Sequence, residues 1–324
     1  MQRRKWLLSI LYSYQSKFRH TFRSLCMGTQ SSESCLGSLP LSYIEIPEKC
    51  ATSQRKPPVI LLHGVLASGA TYSSLLARDD FVPDRRKYAL DLRNHGSSPH
   101  SPHMNYGVLA EDVKRFLKDH NISESVIIGH SMGGKVGMAV ALEYPQLVSE
   151  LIVVDLAPID YSDPTFEKNL PTDAIVAMSK VNLERCTERW QVEDLLEQNG
   201  IQNKRVREFI LENLTTDDVH PKHFKWRVNV SALLNSMNRI LEFPVKEGKT
   251  YSRPTLFIRG ERSIYVMNPS AEKAIRTFFP KAVIETIEGA GHWLTVEAPE
   301  KFCAVVNSFL HNSTDLRQRG SSFV

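Results

Sequence analysis

The 324 residues could fill two average domains or one α/β enzyme, and 42% hydrophobic with 23% charged side chains is ordinary for a globular protein. No apolar run approaches the roughly 20 residues that cross a bilayer, which argues against a transmembrane segment. The net charge of +4 belongs to the N-terminus: residues 1–32 hold Arg3, Arg4, Lys5, Lys17, Arg19 and Arg23 and no acid, leaving 34 basic against 36 acidic residues elsewhere. A body with net charge −2 has no electrostatic footprint for nucleic acid.

In chain order, residues 1–32 read first as a mitochondrial presequence. They are basic, acid-free and Ser-rich, with Trp6, Ile10, Tyr14, Phe18 and Phe22 at helical spacing. This predicts the mitochondrial matrix, with a basic tail on a cytoplasmic protein as the alternative. A secretory signal fits less well: the apolar stretch from Trp6 to Tyr12 is short, contains Ser9 and precedes no A-x-A-like cleavage site. The terminal Ser-Ser-Phe-Val matches neither a KDEL nor an SKL address. Five scattered cysteines, Cys26, Cys35, Cys50, Cys186 and Cys303, form no C-x-x-C pair or zinc spacing and read as reduced thiols.

A polar linker spans residues 33–40. Short apolar runs then alternate with helical patterns, as in a mostly parallel central sheet flanked by helices. The expected strands are Val59–Leu62, Tyr88–Leu90, Val126–Ile128, Leu151–Val154, Thr255–Ile258 and Val283–Ile287, and the clearest helices are Val108–Lys118 and Gly133–Glu143, the latter stopped by Pro145. Residues 158–252 break the alternation with helical patterns and no convincing strand. One stripe is Val206, Phe209, Ile210 and Leu214, and another is Leu233, Met237, Ile240 and Leu241. The expected organisation is therefore a core of residues 41–157 and 253–312, an inserted helical cap at 158–252, and a tail at 313–324.

Gly129-His130-Ser131-Met132-Gly133 matches G-x-S-x-G between a strand and a helix, the context in which that motif projects a serine hydroxyl from the edge of a sheet. The same residues begin a G-x-x-x-x-G-K phosphate loop, but Val136 stands where a hydroxyl should bind magnesium, so Lys135 reads as an ordinary helix residue. A serine hydroxyl is a weak nucleophile without a base, and His292, in Gly289-Ala290-Gly291-His292-Trp293 before a helix opened by Pro299, is placed to serve. The orienting acid is Asp155, directly after a strand, with Glu261 as the alternative and Asp160 or Asp163 behind them. The backbone N–H groups of Val65 and Met132 are candidates for an oxyanion hole. His63 reads as structural, and the turn Asp91–Ser98 as support for the site. Pro99, His100, Pro102 and His103 read as a loop because ligand spacing is missing, so no metal is expected.

These stretches together, DLRNHGSSPHSP at Asp91–Pro102, GHSMGGK at Gly129–Lys135, DLAP at Asp155–Pro158, WRVN at Trp226–Asn229 and GHW at Gly291–Trp293, resemble the α/β-hydrolase superfamily over residues 41–312. Within it, the chain is similar to the mitochondrial α/β-hydrolase domain-containing protein 11 group and its bacterial esterase relatives. The resemblance implies an α/β-hydrolase fold and a cofactor-free serine esterase acting on acyl esters or lipids such as diacylglycerols. It also implies an association with 2-oxoacid dehydrogenase complexes, the 2-oxoglutarate dehydrogenase complex among them. Two other functions stay open: a non-catalytic partner-binding protein of those complexes, and a carbon–carbon bond hydrolase using the same three residues.

Overall fold

The computed structural model describes residues 37–49, 56–162, 170–216, 223–243, 248–266 and 269–320. The expected presequence, linker residues 33–36 and Asp163 lie outside the described residues. The strands in chain order are β1 (Tyr43–Ile46), β2 (Val59–Leu62), β3 (Lys87–Leu90), β4 (Ser125–His130), β5 (Val148–Val154), β6 (Leu214–Thr216), β7 (Phe224–Trp226), β8 (Thr255–Gly260) and β9 (Ala282–Ile287). All but β6 and β7 form one sheet in the order β1-β3-β2-β4-β5-β8-β9, in which β1 is antiparallel to β3 and every other neighbour is parallel. Each strand expected from the sequence lies in this sheet. The unexpected β1 is a short, half-buried edge whose Tyr-Ile-Glu-Ile gives a weak apolar signal.

Why the central strands read as unbroken apolar runs follows from their burial on both faces. Ile60, Leu62, Ile127, Leu151 and Val153 enter one core cluster, while Val59, Leu61, Val126, Ile128, Ile152 and Val154 enter another on the opposite face. The helices are α1 (Ser73–Leu76), α2 (Tyr106–Asp119), α3 (Met132–Glu143), α4 (Leu170–Lys180), α5 (Arg189–Gln198), α6 (Lys204–Leu211), α7 (Val230–Asn235), α8 (Met237–Leu241), α9 (Pro269–Phe278), α10 (Leu294–Glu297) and α11 (Pro299–Gly320). Asn105 starts α2 by accepting from the Val108 N–H at 3.0 Å, and Leu109, Val113, Phe116 and Leu117 are buried along it. α3 is buried from Met132 to Leu142. On the second face Phe302, Val306 and Leu310 of α11 fill the other cluster.

Four features differ from the sequence reading. α11 continues to Gly320, past residue 312, where a tail was expected. Residues of the expected linker are held down, because the Leu39 N–H donates to Asp112 Oδ1 at 2.6 Å and Asp112 forms a buried ion pair with Arg93. The inserted segment is not wholly helical, since β6 and β7 pair as an antiparallel ladder with Leu214 opposite Trp226. The Asn213 N–H closes the end of α6 on Ile210 O at 3.0 Å and its carbonyl accepts from Arg227 N–H at 2.7 Å, so Leu214 leaves the helical stripe for a strand. Ser236 likewise separates α7 from α8 where one helix was expected.

Candidate active site

β2, β4, β5 and β8 all end on the same edge of the parallel sheet, the edge at which α/β proteins gather their chemistry. Ser131 stands alone between β4 and α3, with φ 53° and ψ −120°. A serine resists that backbone, and the surrounding structure must enforce it. Its N–H donates to Val154 O at 3.0 Å, and its carbonyl accepts from Gly134 N–H at 2.8 Å. The flanking glycines are obligatory on space alone: a Cβ on Gly129 would sit 2.2 Å from Gly133 O, and one on Gly133 would sit 2.2 Å from Leu62 O. Met132 opens α3, so its N–H belongs to the first turn and has no helical acceptor.

The loop after β2 lies against this turn, since a Cβ on Gly64 would be 3.3 Å from Ser131 Cβ. Val65 follows it, half-buried. His63 is structural, as its sequence position predicts: Nε2 accepts from Leu92 N–H at 2.9 Å, so Nδ1 holds the proton and donates to Gly64 O at 2.8 Å. Burial pulls its imidazole down to about 4, which keeps it neutral. Asp91 braces the neighbouring turn by accepting from Gly69 N–H at 2.7 Å and Ser97 N–H at 2.8 Å.

Asp155 and His292, 137 positions apart, meet on the other side: Asp155 Oδ2 accepts from His292 Nδ1 at 2.7 Å. Asp155 follows β5 with φ 55° and is fully buried. Its other contacts are the Gly260 N–H, donating to Oδ1 at 3.1 Å, and the Ser263 hydroxyl, donating to Oδ2. Because a carboxylate only accepts, the proton of the imidazole sits on Nδ1 and Nε2 presents its lone pair. His130, next to Ser131, donates from Nε2 to His292 O at 2.8 Å, with the two rings 4.6 Å apart between centroids. Burial, and second to it the repulsion His130 would meet from His292 were both rings protonated, pulls His130 down to about 3, so it stays a neutral donor.

Glu261, the alternative acid, is exposed and accepts from Gly289 N–H at 2.8 Å, so it braces the loop that carries His292. Asp160 is exposed and accepts from Ser162 N–H at 2.7 Å. Lys135 departs from its sequence reading. It is 1% exposed, and its ammonium donates to the carbonyls of Leu241 and Glu242 over the Tyr161 and Tyr106 rings. His100, read as loop, contacts Arg227 O at 3.0 Å.

Sequence reasoning missed several groups around His292. Glu297 accepts from Gly291 N–H at 2.8 Å and pairs with Arg262 at 3.2 Å. The Tyr265 ring lies 4.5 Å from that of His292, and Phe209 of α6 lies 5.8 Å from Trp293. A Gly-x-His loop signals the base, whereas aromatic residues scattered over distant segments give no local pattern.

A family model described as the alpha/beta hydrolase fold matches residues 57–180. The chain is 35% identical over 278 residues to the sn-1-specific diacylglycerol lipase ABHD11 of Mus musculus, covering 85% of this chain and 86% of that protein. It is 30% identical over 255 residues to Esterase YbfF of Escherichia coli (strain K12), covering 79% of this chain and 93% of that protein. Among solved structures, a marine microorganism esterase superposes with a TM-score of 0.76 at 31% identity, over 84% of this chain and 100% of that one.

Proposed function

The chain belongs to the α/β-hydrolase family and is a carboxylic ester hydrolase, and on that footing we propose that Ser131, His292 and Asp155 carry the reaction through an acyl-enzyme. The observation that carries the reading is the 2.7 Å contact between His292 Nδ1 and Asp155 Oδ2, in a loop that His130 ties to the strained Ser131 turn. His292 Nε2 takes the proton as Ser131 Oγ attacks the ester carbonyl. The N–H groups of Val65 and Met132 receive the developing oxyanion, each such donor lowering the barrier by roughly 3 kcal/mol. The imidazolium returns the proton to the departing alkoxide. Water, deprotonated by the same nitrogen, then releases the carboxylic acid and frees Ser131.

The substrate in this reading is a lipid acyl ester of the diacylglycerol type. The name of the mouse relative supports it, as do the aromatic rings of Tyr265, Trp293 and Phe209 beside the base. Residues 158–252 act as a cap that shapes an apolar pocket and excludes water. Ser131→Ala should lower kcat by roughly 10⁴ or more and abolish labelling by a fluorophosphonate. Ordinary ester turnover by that variant would overturn the assignment. A wild-type chain that the probe leaves unlabelled would favour the partner-binding reading, with a 2-oxoacid dehydrogenase complex as the candidate partner. The basic, acid-free residues 1–32 support delivery to the mitochondrial matrix. Fused to a reporter they should drive its import, and a reporter that stays cytoplasmic sinks that proposal.

A further inference from the structure

We infer that Asn213 is a positioning residue for the oxyanion-binding turn, holding Leu66 in a left-handed backbone that its own side chain resists. The inference rests on the reaction proposed above, because it concerns the same site. Gly64 to Ala67 form a tight turn closed by the Ala67 N–H on Gly64 O at 3.2 Å. Its third residue, Leu66, has φ 62°, a conformation that such turns ordinarily assign to glycine or asparagine. Leucine remains there only if its surroundings hold it.

Within the core, His63 Nδ1 fixes the Gly64 carbonyl at 2.8 Å and Tyr72 Oη fixes the Leu62 carbonyl at 2.8 Å. Those bonds secure the entry to the turn. Its far side is held from the inserted segment: Asn213 Nδ2 donates to Leu66 O at 2.8 Å, and both residues are buried. The amide is itself well anchored, because the Asn213 N–H donates to Ile210 O at 3.0 Å and its carbonyl accepts from Arg227 N–H at 2.7 Å. Val65, whose N–H is assigned to the oxyanion, lies between the two fixed carbonyls. Removing the amide leaves a buried acceptor without its donor and lets Leu66 relax to a right-handed backbone, which draws the Ala67 N–H off Gly64 O, the carbonyl of the same peptide that bears the Val65 N–H. One side chain of the inserted segment thus acts together with His63 in holding the direction of a donor on the core.

The test is a cycle of variants in the full chain, assayed on a short-chain p-nitrophenyl ester. Asn213→Ala should reduce kcat about 10-fold with KM within about 2-fold, less than outright loss of an oxyanion donor because Val65 N–H is misdirected and not deleted. The acid limb of the pH profile of kcat/KM should not move, since His292 and Asp155 are untouched. In a Leu66→Gly background the same substitution should cost under about 2-fold, because glycine holds the left-handed backbone unaided. Asn213→Asp, which keeps the shape and removes the donor, repeats the test should either of the other variants fold poorly. Wild-type kcat in Asn213→Ala or Asn213→Asp overturns the inference, as does a full 10-fold loss in the glycine background. Parallel measurement of Ser131→Ala separates the two levels. Turnover by Ser131→Ala sinks the site itself, whereas an inactive Ser131→Ala beside fully active Asn213 variants sinks only the role of Asn213.

Discussion

The sheet that ends at Ser131 and Asp155 and the inserted segment share one apolar cluster, but their elements differ in how completely they are buried. Every residue of β2 and β5 is buried, and their side chains reach core clusters on both faces. β6 and β7 contain no fully buried residue, and α6 buries only part of its surface. Polar contacts join this segment to the core in addition to its apolar packing: Asn213 on Leu66, Asn229 on Asn94, Lys135 on Leu241 and Glu242, and the Tyr106 hydroxyl on Ile240 O. The comparison teaches a division of labour. Close-packed strands hold the groups at their ends to within tenths of an ångström, while the half-buried parts of the segment, tied by directional bonds as well as packing, can change without disturbing the strands.

The sharpest way to break that comparison is at Asp155, the acid of the proposed reaction, which directly follows β5 and accepts from the Gly260 N–H of β8. Asp155→Asn keeps the shape and should lower kcat by about 10³ to 10⁴, since the amide disfavours the imidazolium and permits the wrong tautomer. Ester assays on the purified variant check this, and a loss of less than 10-fold would mean that the acid lies elsewhere.

An intermediate effect is expected where core and segment meet. Burial pulls the Lys135 ammonium down to about 7, against the opposing pull of Asp160 and Glu242. The folded protein therefore releases this proton above about pH 7, while the unfolded chain keeps it to about 10.4. Between those values the unfolded state binds the extra proton, so the contribution of Lys135 to stability rises with pH, by at most about 1.4 kcal/mol per unit. Below pH 7 the full burial penalty of the cation applies. Lys135→Met should remove this slope, so its stability relative to wild type, read from urea unfolding, should be lower at pH 9 than at pH 7. An equal difference at both values would mean that the two carbonyls and two rings keep the ammonium charged throughout.

The smallest effect belongs to Glu261, which follows β8 but is exposed and turned to the Gly289 N–H. Glu261→Gln retains an acceptor for Gly289 N–H and should alter kcat by less than about 3-fold in the same ester assay. A loss matching that of Asp155→Asn would transfer the acid's role to Glu261.

How much of this was legible in the sequence depended on whether the signal was local. Val59–Leu62 and Leu151–Val154 announce doubly covered strands because burial on both faces leaves no polar position in the run. Gly129 and Gly133 announce the Ser131 turn because a Cβ at either would strike backbone within four residues or on the adjacent strand. Tyr43–Ile46 escaped notice because an edge strand needs few apolar side chains, and Leu214 was misassigned because a helical stripe does not record where its helix stops.

By itself, then, the sequence determined the six buried strands and their succession along the chain, the serine on its turn and the histidine on its loop, all written in periodicity and short motifs. Tertiary structure decided which carboxylate faces His292, that the ammonium of Lys135 reaches Leu241, and that an amide at position 213 holds the carbonyl of Leu66. Those pairs are separated by 137, 106 and 147 positions. Contacts between such distant residues depend on strand order and on where connecting loops return, which no local pattern of residues encodes.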